Sequence, residues 1–155
     1  MKKHTVKKHK HTVKKHKHTV KKHKHTVKKH YTERLSRRDK QKQLSNIKKS
    51  RKLYKKGVYI NRPKLKSYTK KRSGWVQKFE NKYNRKITDT NFIHKNIITR
   101  KGQGLILKKG RGAYYSSGSR PNQTASSWAY ARLASVIMNG PSRKVDQTIW
   151  TKYRV

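Results

Sequence analysis

The chain has 155 residues, 46 Lys plus Arg against five acids, and a formal net charge of +41. That length fits one ordinary domain. Cations at this density repel one another on compaction, which argues against one domain using the whole chain, and they demand an anionic partner, nucleic acid ahead of membrane surfaces or acidic proteins.

The repeat comes first. The unit HTVKKHK starts at His4, His11 and His18, and a fourth copy from His25 ends at Tyr31. Residues 1–30 hold 13 lysines, eight histidines and no acid. One valine per repeat falls short of the two apolar positions per heptad that a coiled coil needs. A disordered arm is therefore expected, because nothing in it offsets the entropy of ordering. Its paired lysines, Lys7, Lys8, Lys14, Lys15, Lys21, Lys22, Lys28 and Lys29, are candidates for phosphate contacts. Lysines lack the planar fork that reads bases, so such binding follows charge rather than sequence. A second reading takes the pairs His9 and His11, and His16 and His18, as ligands for zinc, copper or nickel. The surrounding lysines and the missing carboxylates weigh against it, so neither a metal nor another cofactor is expected. Simple tandem duplication produces the same regularity.

Residues 31–56 read as a basic linker with short turns at Thr32–Leu35 and Gln43–Ile47. The folded domain is expected over residues 57–155. Val58, Tyr59 and Ile60 are β-formers before Pro63 and read as a strand or an extended arm. Ser73 caps a helix whose face is Trp75, Val76, Phe79 and Tyr83. Asp89 or Thr90 caps a second, carrying Phe92, Ile93, Ile97 and Ile98. A short segment with Leu105, Ile106 and Leu107 stops at Gly110 and Gly112. The last helix starts near Ser126 or Ser127, carries the stripe Ala129, Leu133, Val136 and Ile137, and ends at Gly140-Pro141. Trp150 and Tyr153 cover an edge of the core. The class is mainly α, with a small α+β arrangement as the alternative.

The stretch KKGRGAYYSSGSRPNQTASSW, from residue 108, reads as a Gly/Ser/Tyr loop. Arg111 and Arg120 bracket Tyr114, Tyr115 and three serines, and the loop leads to a helix N-terminus that favours an anion. In one reading Arg120 forks a phosphate there and the tyrosines stack on unpaired bases. In the other, Tyr114-Tyr115 is a short strand, and Arg120 and Asn122 bond backbone carbonyls.

GRGAYYSSGSRPNQT, then SSWAYARLASV, then Val145-Asp146, resembles a short domain of unknown function in proteins of large DNA viruses that infect algae and amoebae. The resemblance covers roughly residues 58–150, including INRPKLKSYTKK. TRKGQGLILKKG stands where similar proteins read more like a helix-turn-helix. The resemblance implies a viral genome, capsid or replication site as the setting, hence the virion, the host nucleus or a cytoplasmic virus factory. It implies no activity.

Catalysis is poorly supplied. The acids Glu33, Asp39, Glu80, Asp89 and Asp146 stand singly, and His94 is the one histidine outside the repeat. No nucleophile-elbow pattern supports a triad of a serine with His94 and Asp146, and a metal nuclease needs several carboxylates around its ions. No aliphatic run approaches the roughly 20 residues of a membrane span. The expectation is a non-enzymatic nucleic-acid-binding protein, with DNA ahead of RNA and no small-molecule substrate. The alternative is a virion structural protein whose domain docks on other virion proteins.

Overall fold

The stripe Ala129, Leu133, Val136 and Ile137 recurs at helical spacing, and such a stripe is stable only when covered. The computed structural model, which describes residues 26–155, shows what covers it. After a 3-10 turn at Lys29–Tyr31 come α1 (Arg37–Tyr54), α2 (Gly74–Tyr83), α3 (Thr90–Asn96), α4 (Arg100–Ser116), α5 (Ala125–Ile137), α6 (Pro141–Val145) and α7 (Gln147–Tyr153). The fold is mainly helical. Among the described residues there is no strand, and one isolated bridge pairs Ile98 with Arg154.

The central pair is α4 against α5, with α2 and α6 packed on α5, and α3 and α7 on α4. The four stripe residues of α5 are buried, together with Phe79 of α2, Ile93 of α3, Ile98, and Ile106 of α4. Trp150 and Tyr153 pack on the margin of this core. Asp89 caps α3 by accepting the Phe92 N–H, and Ser73 stands at the N-cap of α2.

Gly110 and Gly112 do not stop a helix; α4 runs through both for 17 residues. A Cβ on Gly110 would lie 2.6 Å from the Ala129 Cα. The glycine is there because α4 and α5 touch backbone to backbone at that level. Tyr114-Tyr115 accordingly sits on the last turns of α4, not on a strand.

The segment read as a linker is also different. Its helix, α1, spans 18 residues and packs on α4. Ser36 caps it, and its inward residues are Asp39, Gln43, Ile47 and Ser50. Tyr31 is buried as well. The folded part thus takes in most of residues 31–56. Residues 58–72 form no strand; they run as an irregular strap beside α1. The expected disorder of the arm lies, up to residue 25, outside the described residues.

Asp146, between α6 and α7, joins three helices. Arg132 of α5 donates to it through Nε (2.7 Å) and one terminal nitrogen (2.9 Å), and Lys109 Nζ of α4 lies 2.7 Å away. Burial pushes the carboxyl pKa up, but the hydrogen bonds from Arg132 and Lys109 outweigh it and hold the group below its ordinary value.

Candidate nucleic-acid interface

Charge remains concentrated on the fold itself. With 13 cations in residues 1–30, the other 33 Lys and Arg share the chain with all five acids. Between α2 and α5 lies an open groove of about 690 Å³, and no acid lines it.

The groove follows from the two-faced character of α5. While Ala129, Leu133, Val136 and Ile137 point inward, Ser127, Trp128, Ala131, Arg132 and Ser135 line the groove at i, i+1, i+4, i+5 and i+8. Across from them stand Ser73, Gly74, Trp75 and Lys78 of the α2 start, with Lys71 and Arg72 of the strap. Arg120 and Lys28 complete the rim. Trp128 meets the buried Tyr31 ring edge-on at 5.8 Å, and Lys78 Nζ lies 4.6 Å above the Trp75 ring. Two of the cations are engaged elsewhere: Arg132 on Asp146, and Arg72 in an ion pair with Glu80. Arg120 is exposed; its carbonyl accepts the Ser119 hydroxyl at 3.1 Å, and its guanidinium makes no hydrogen bond or ion pair among the described residues. A second cavity of about 500 Å³ shares Lys71 and Arg120 with the groove and is lined also by His30 and Tyr68. Burial lowers the pKa of His30, and the charges of Arg120 and Lys28 lower it further.

The expected anion site at the start of α5 is partly taken up by its own cap. Thr124 Oγ1 accepts the Ser127 N–H at 3.1 Å, and Ser127 Oγ accepts the Thr124 N–H at 3.0 Å. That reciprocal pair satisfies two of the donors at this helix start. The start of α2 differs: Ser73 makes no capping hydrogen bond, so the first-turn N–H groups of α2 lack a side-chain partner at the groove wall.

The sequence candidates are scattered by the fold. Arg120 and Lys28 reach the groove, while Lys29 is exposed on the 3-10 turn. Arg111 is exposed on α4 and does not line the groove. Tyr114 is fully buried. Its hydroxyl accepts the Arg62 N–H at 2.9 Å and donates to the Gln123 carbonyl at 3.0 Å. It is a core residue and has no free face for a base. The Arg62 guanidinium lies over its ring at 4.5 Å. Tyr115 is half-buried among other tyrosines. Asn122 does bond backbone: Nδ2 donates to the Leu65 and Tyr68 carbonyls at 2.9 and 2.8 Å, and Oδ1 accepts the Leu65 N–H at 2.8 Å. Lys7, Lys8, Lys14, Lys15, Lys21 and Lys22 lie outside the described residues, as do His9, His11, His16 and His18. Among the described residues no cluster of His, Asp or Glu is placed to hold a metal ion.

Sequence reasoning missed Trp75, Trp128, Lys71 and Lys78 as a group. Both tryptophans read as helix residues, and only the fold brings the strap, α2 and α5 together. Four of the five acids have partners: Asp39 accepts from Ser67, Asp89 caps α3, and Asp146 and Glu80 are paired. His94 Nδ1 accepts the Arg100 N–H at 3.2 Å, so neither His94 nor Asp146 is held toward a serine. No described helix is long and apolar enough to cross a membrane.

A protein family matches residues 35–149. The chain belongs to this family of unknown function, DUF5824. The DUF5824 span begins just before α1, in keeping with the packing of that helix on α4, and it contains every wall of the groove except Lys28 and Tyr31. No curated protein and no solved structure matches the chain.

Proposed function

We propose that this DUF5824 protein is a non-enzymatic nucleic-acid-binding protein whose groove takes a phosphate backbone with bases against its tryptophans. One observation carries the reading: an acid-free groove in which Trp75 and Trp128 stand among Lys28, Lys71, Lys78 and Arg120. Lysines neutralise phosphates, an arginine supplies a planar fork, and indole faces stack on bases of any identity. The uncapped start of α2 adds oriented N–H groups to the same wall. Lys28 belongs to the last copy of the repeat and lines the groove, so arm and groove would contact one strand. The arm supplies affinity by charge; the groove supplies orientation. The setting we propose, supported by the sequence resemblance alone, is a viral genome in the virion or the replication site.

The test uses the intrinsic fluorescence of the full chain. Titration with a single-stranded oligonucleotide should quench it. The signal should survive Trp150→Phe, because Trp150 lies outside the groove, and shrink in Trp128→Phe. Binding that leaves the Trp75 and Trp128 signal unchanged defeats the groove reading. Removing residues 1–25 leaves Lys28 and Tyr31 in place and should flatten the salt dependence by about 0.7–0.9 in log–log slope per lost phosphate contact.

A further inference from the structure

α1 does not simply stop at its C-terminus. Gly57 adopts φ of +75°, its N–H donates to the Tyr54 carbonyl at 3.0 Å, and the Val58 N–H donates to the Leu53 carbonyl at 3.0 Å. This left-handed cap turns the chain back on the helix. The reversal brings the Tyr59 ring within 5.8 Å of Tyr54 and 5.0 Å of Tyr115, while Tyr54 and Tyr115 stand nearly parallel, 12° apart, at 6.5 Å. Gly112 makes room for this on α4: a Cβ there would sit 3.1 Å from the Tyr54 hydroxyl. Tyr59 is 61% exposed, and Val58 beside it is also exposed. Among the described residues none of the three hydroxyls makes a hydrogen bond.

We propose that Tyr54, Tyr59 and Tyr115 form a second site, a stacking platform for unpaired nucleobases of a single strand. It is separate from the groove. Ala113 and Ser117 line the groove one helical turn apart, and Tyr115 lies midway, about 200° round the axis of α4 from each. Arg111, one turn before Tyr115, shares its face, and Lys55 and Lys56 flank the turn. No acid occurs between Asp39 and Glu80. That charge chooses the occupant. A second copy of a chain at +41 would be repelled, and a purely apolar partner would leave the lysines unpaired. An unpaired strand brings both the π-faces and the phosphates that the patch fits. The inference rests on the proposed affinity for nucleic acid but not on the groove.

The experiment measures the affinity of the full chain for a deoxythymidine oligonucleotide and for a duplex of the same length, across a salt series. Tyr59→Ala should weaken single-strand binding by about 5- to 150-fold. Its salt slope and duplex affinity should stay unchanged, and Tyr59→Phe should bind like the wild type. The exposure of Tyr59 keeps the fold out of the result, which a thermal melt of each variant verifies. Wild-type affinity in Tyr59→Ala overturns the platform, as does equal loss on single strand and duplex. A changed oligomeric state in sedimentation, with affinity intact, assigns the patch to a second copy and also overturns it. If Trp128→Ala weakens binding where Tyr59→Ala does not, the platform falls and the groove stands. If the wild-type chain binds no single strand, both fall.

Discussion

The two sides of the α4–α5 pair are held by different physics. On one side α2, α3, α6 and α7 bury Phe79, Ile93, Ile98 and Leu133 in an apolar core. On the other, α1 and the strap are joined to the end of α4 and its following loop through hydrogen bonds. Gln43 Nε2 donates to the Ser119 carbonyl at 3.1 Å, Ser50 Oγ to the Tyr115 carbonyl at 2.9 Å, and an Arg51 terminal nitrogen to the Ser117 carbonyl at 2.7 Å. Arg62, buried with no carboxylate beside it, donates to the Tyr114 carbonyl and to Asn46 Oδ1. Its burial lowers its pKa, and the Tyr114 ring face takes part of the charge. Apolar packing is non-directional and tolerates many sequences; the polar side depends on donors meeting acceptors in fixed geometry, and it leaves Gln43 Oε1 and Arg62 Nε buried without a partner.

The comparison can be broken from either side. The largest effect is expected on the apolar side, where Leu133→Ala should cost about 2–5 kcal/mol in a denaturant melt and come close to abolishing the fold. A cost under about 0.5 kcal/mol, usual for exposed sites, would remove Leu133 from the core.

Asp146→Ala comes next, at about 3 kcal/mol, the lower end for a broken buried pair because Lys109 keeps access to water. The pH dependence has a definite sign. The folded pKa of Asp146 lies below its ordinary 3.8, so its contribution is complete above 3.8 and disappears as pH falls through the folded value. Asp39, lowered by its hydrogen bonds from Ser67, acts in the same direction. Melts recorded below pH 4 should be less pH-dependent in Asp146→Asn than in the wild type, and equal dependence would contradict the bridge.

On the polar side, Asn122→Ala should cost about 1–3 kcal/mol by stranding the Leu65 N–H and two carbonyls and by placing alanine at a φ of +55°. A cost above about 3 kcal/mol would show that Asn122 does more than hold these hydrogen bonds. The smallest effect is Arg120→Ala, within about 0.5 kcal/mol of wild type in a melt, with single-strand affinity reduced. A lowered melt with binding intact would make Arg120 part of the scaffold.

The same contrast explains what the sequence disclosed. α2, α3 and α5 were legible because apolar residues at helical spacing mark their buried faces, and Leu133 sits where that periodicity puts it. α1 was not. Its inward face is Asp39, Gln43, Ile47 and Ser50, a regular series with a single apolar member, and hydrophobic periodicity cannot see a face that bonds instead of packing. Glycine normally breaks helices, so α4 reads as a shorter segment; at Gly110 the close approach to Ala129 outweighs that propensity. In the candidate site, Arg120 stood out in a basic loop. Trp75, Lys71 and Trp128 did not, since segments distant in sequence build the groove. Tyr114 looked like a stacking residue because a buried tyrosine and an exposed one are spelled alike.

Asn122 carries one more consequence. Asn122-Gln123-Thr124 has the form of an acceptor for N-linked sugar, and the nitrogen that would carry the glycan is Nδ2. Folding commits both hydrogens of that nitrogen to the Leu65 and Tyr68 carbonyls. Attachment would take away one of those hydrogens and set a bulky saccharide between the loop and residues 65–68. A chain entering a glycosylating compartment can therefore keep the sugar or the closed strap, but not both.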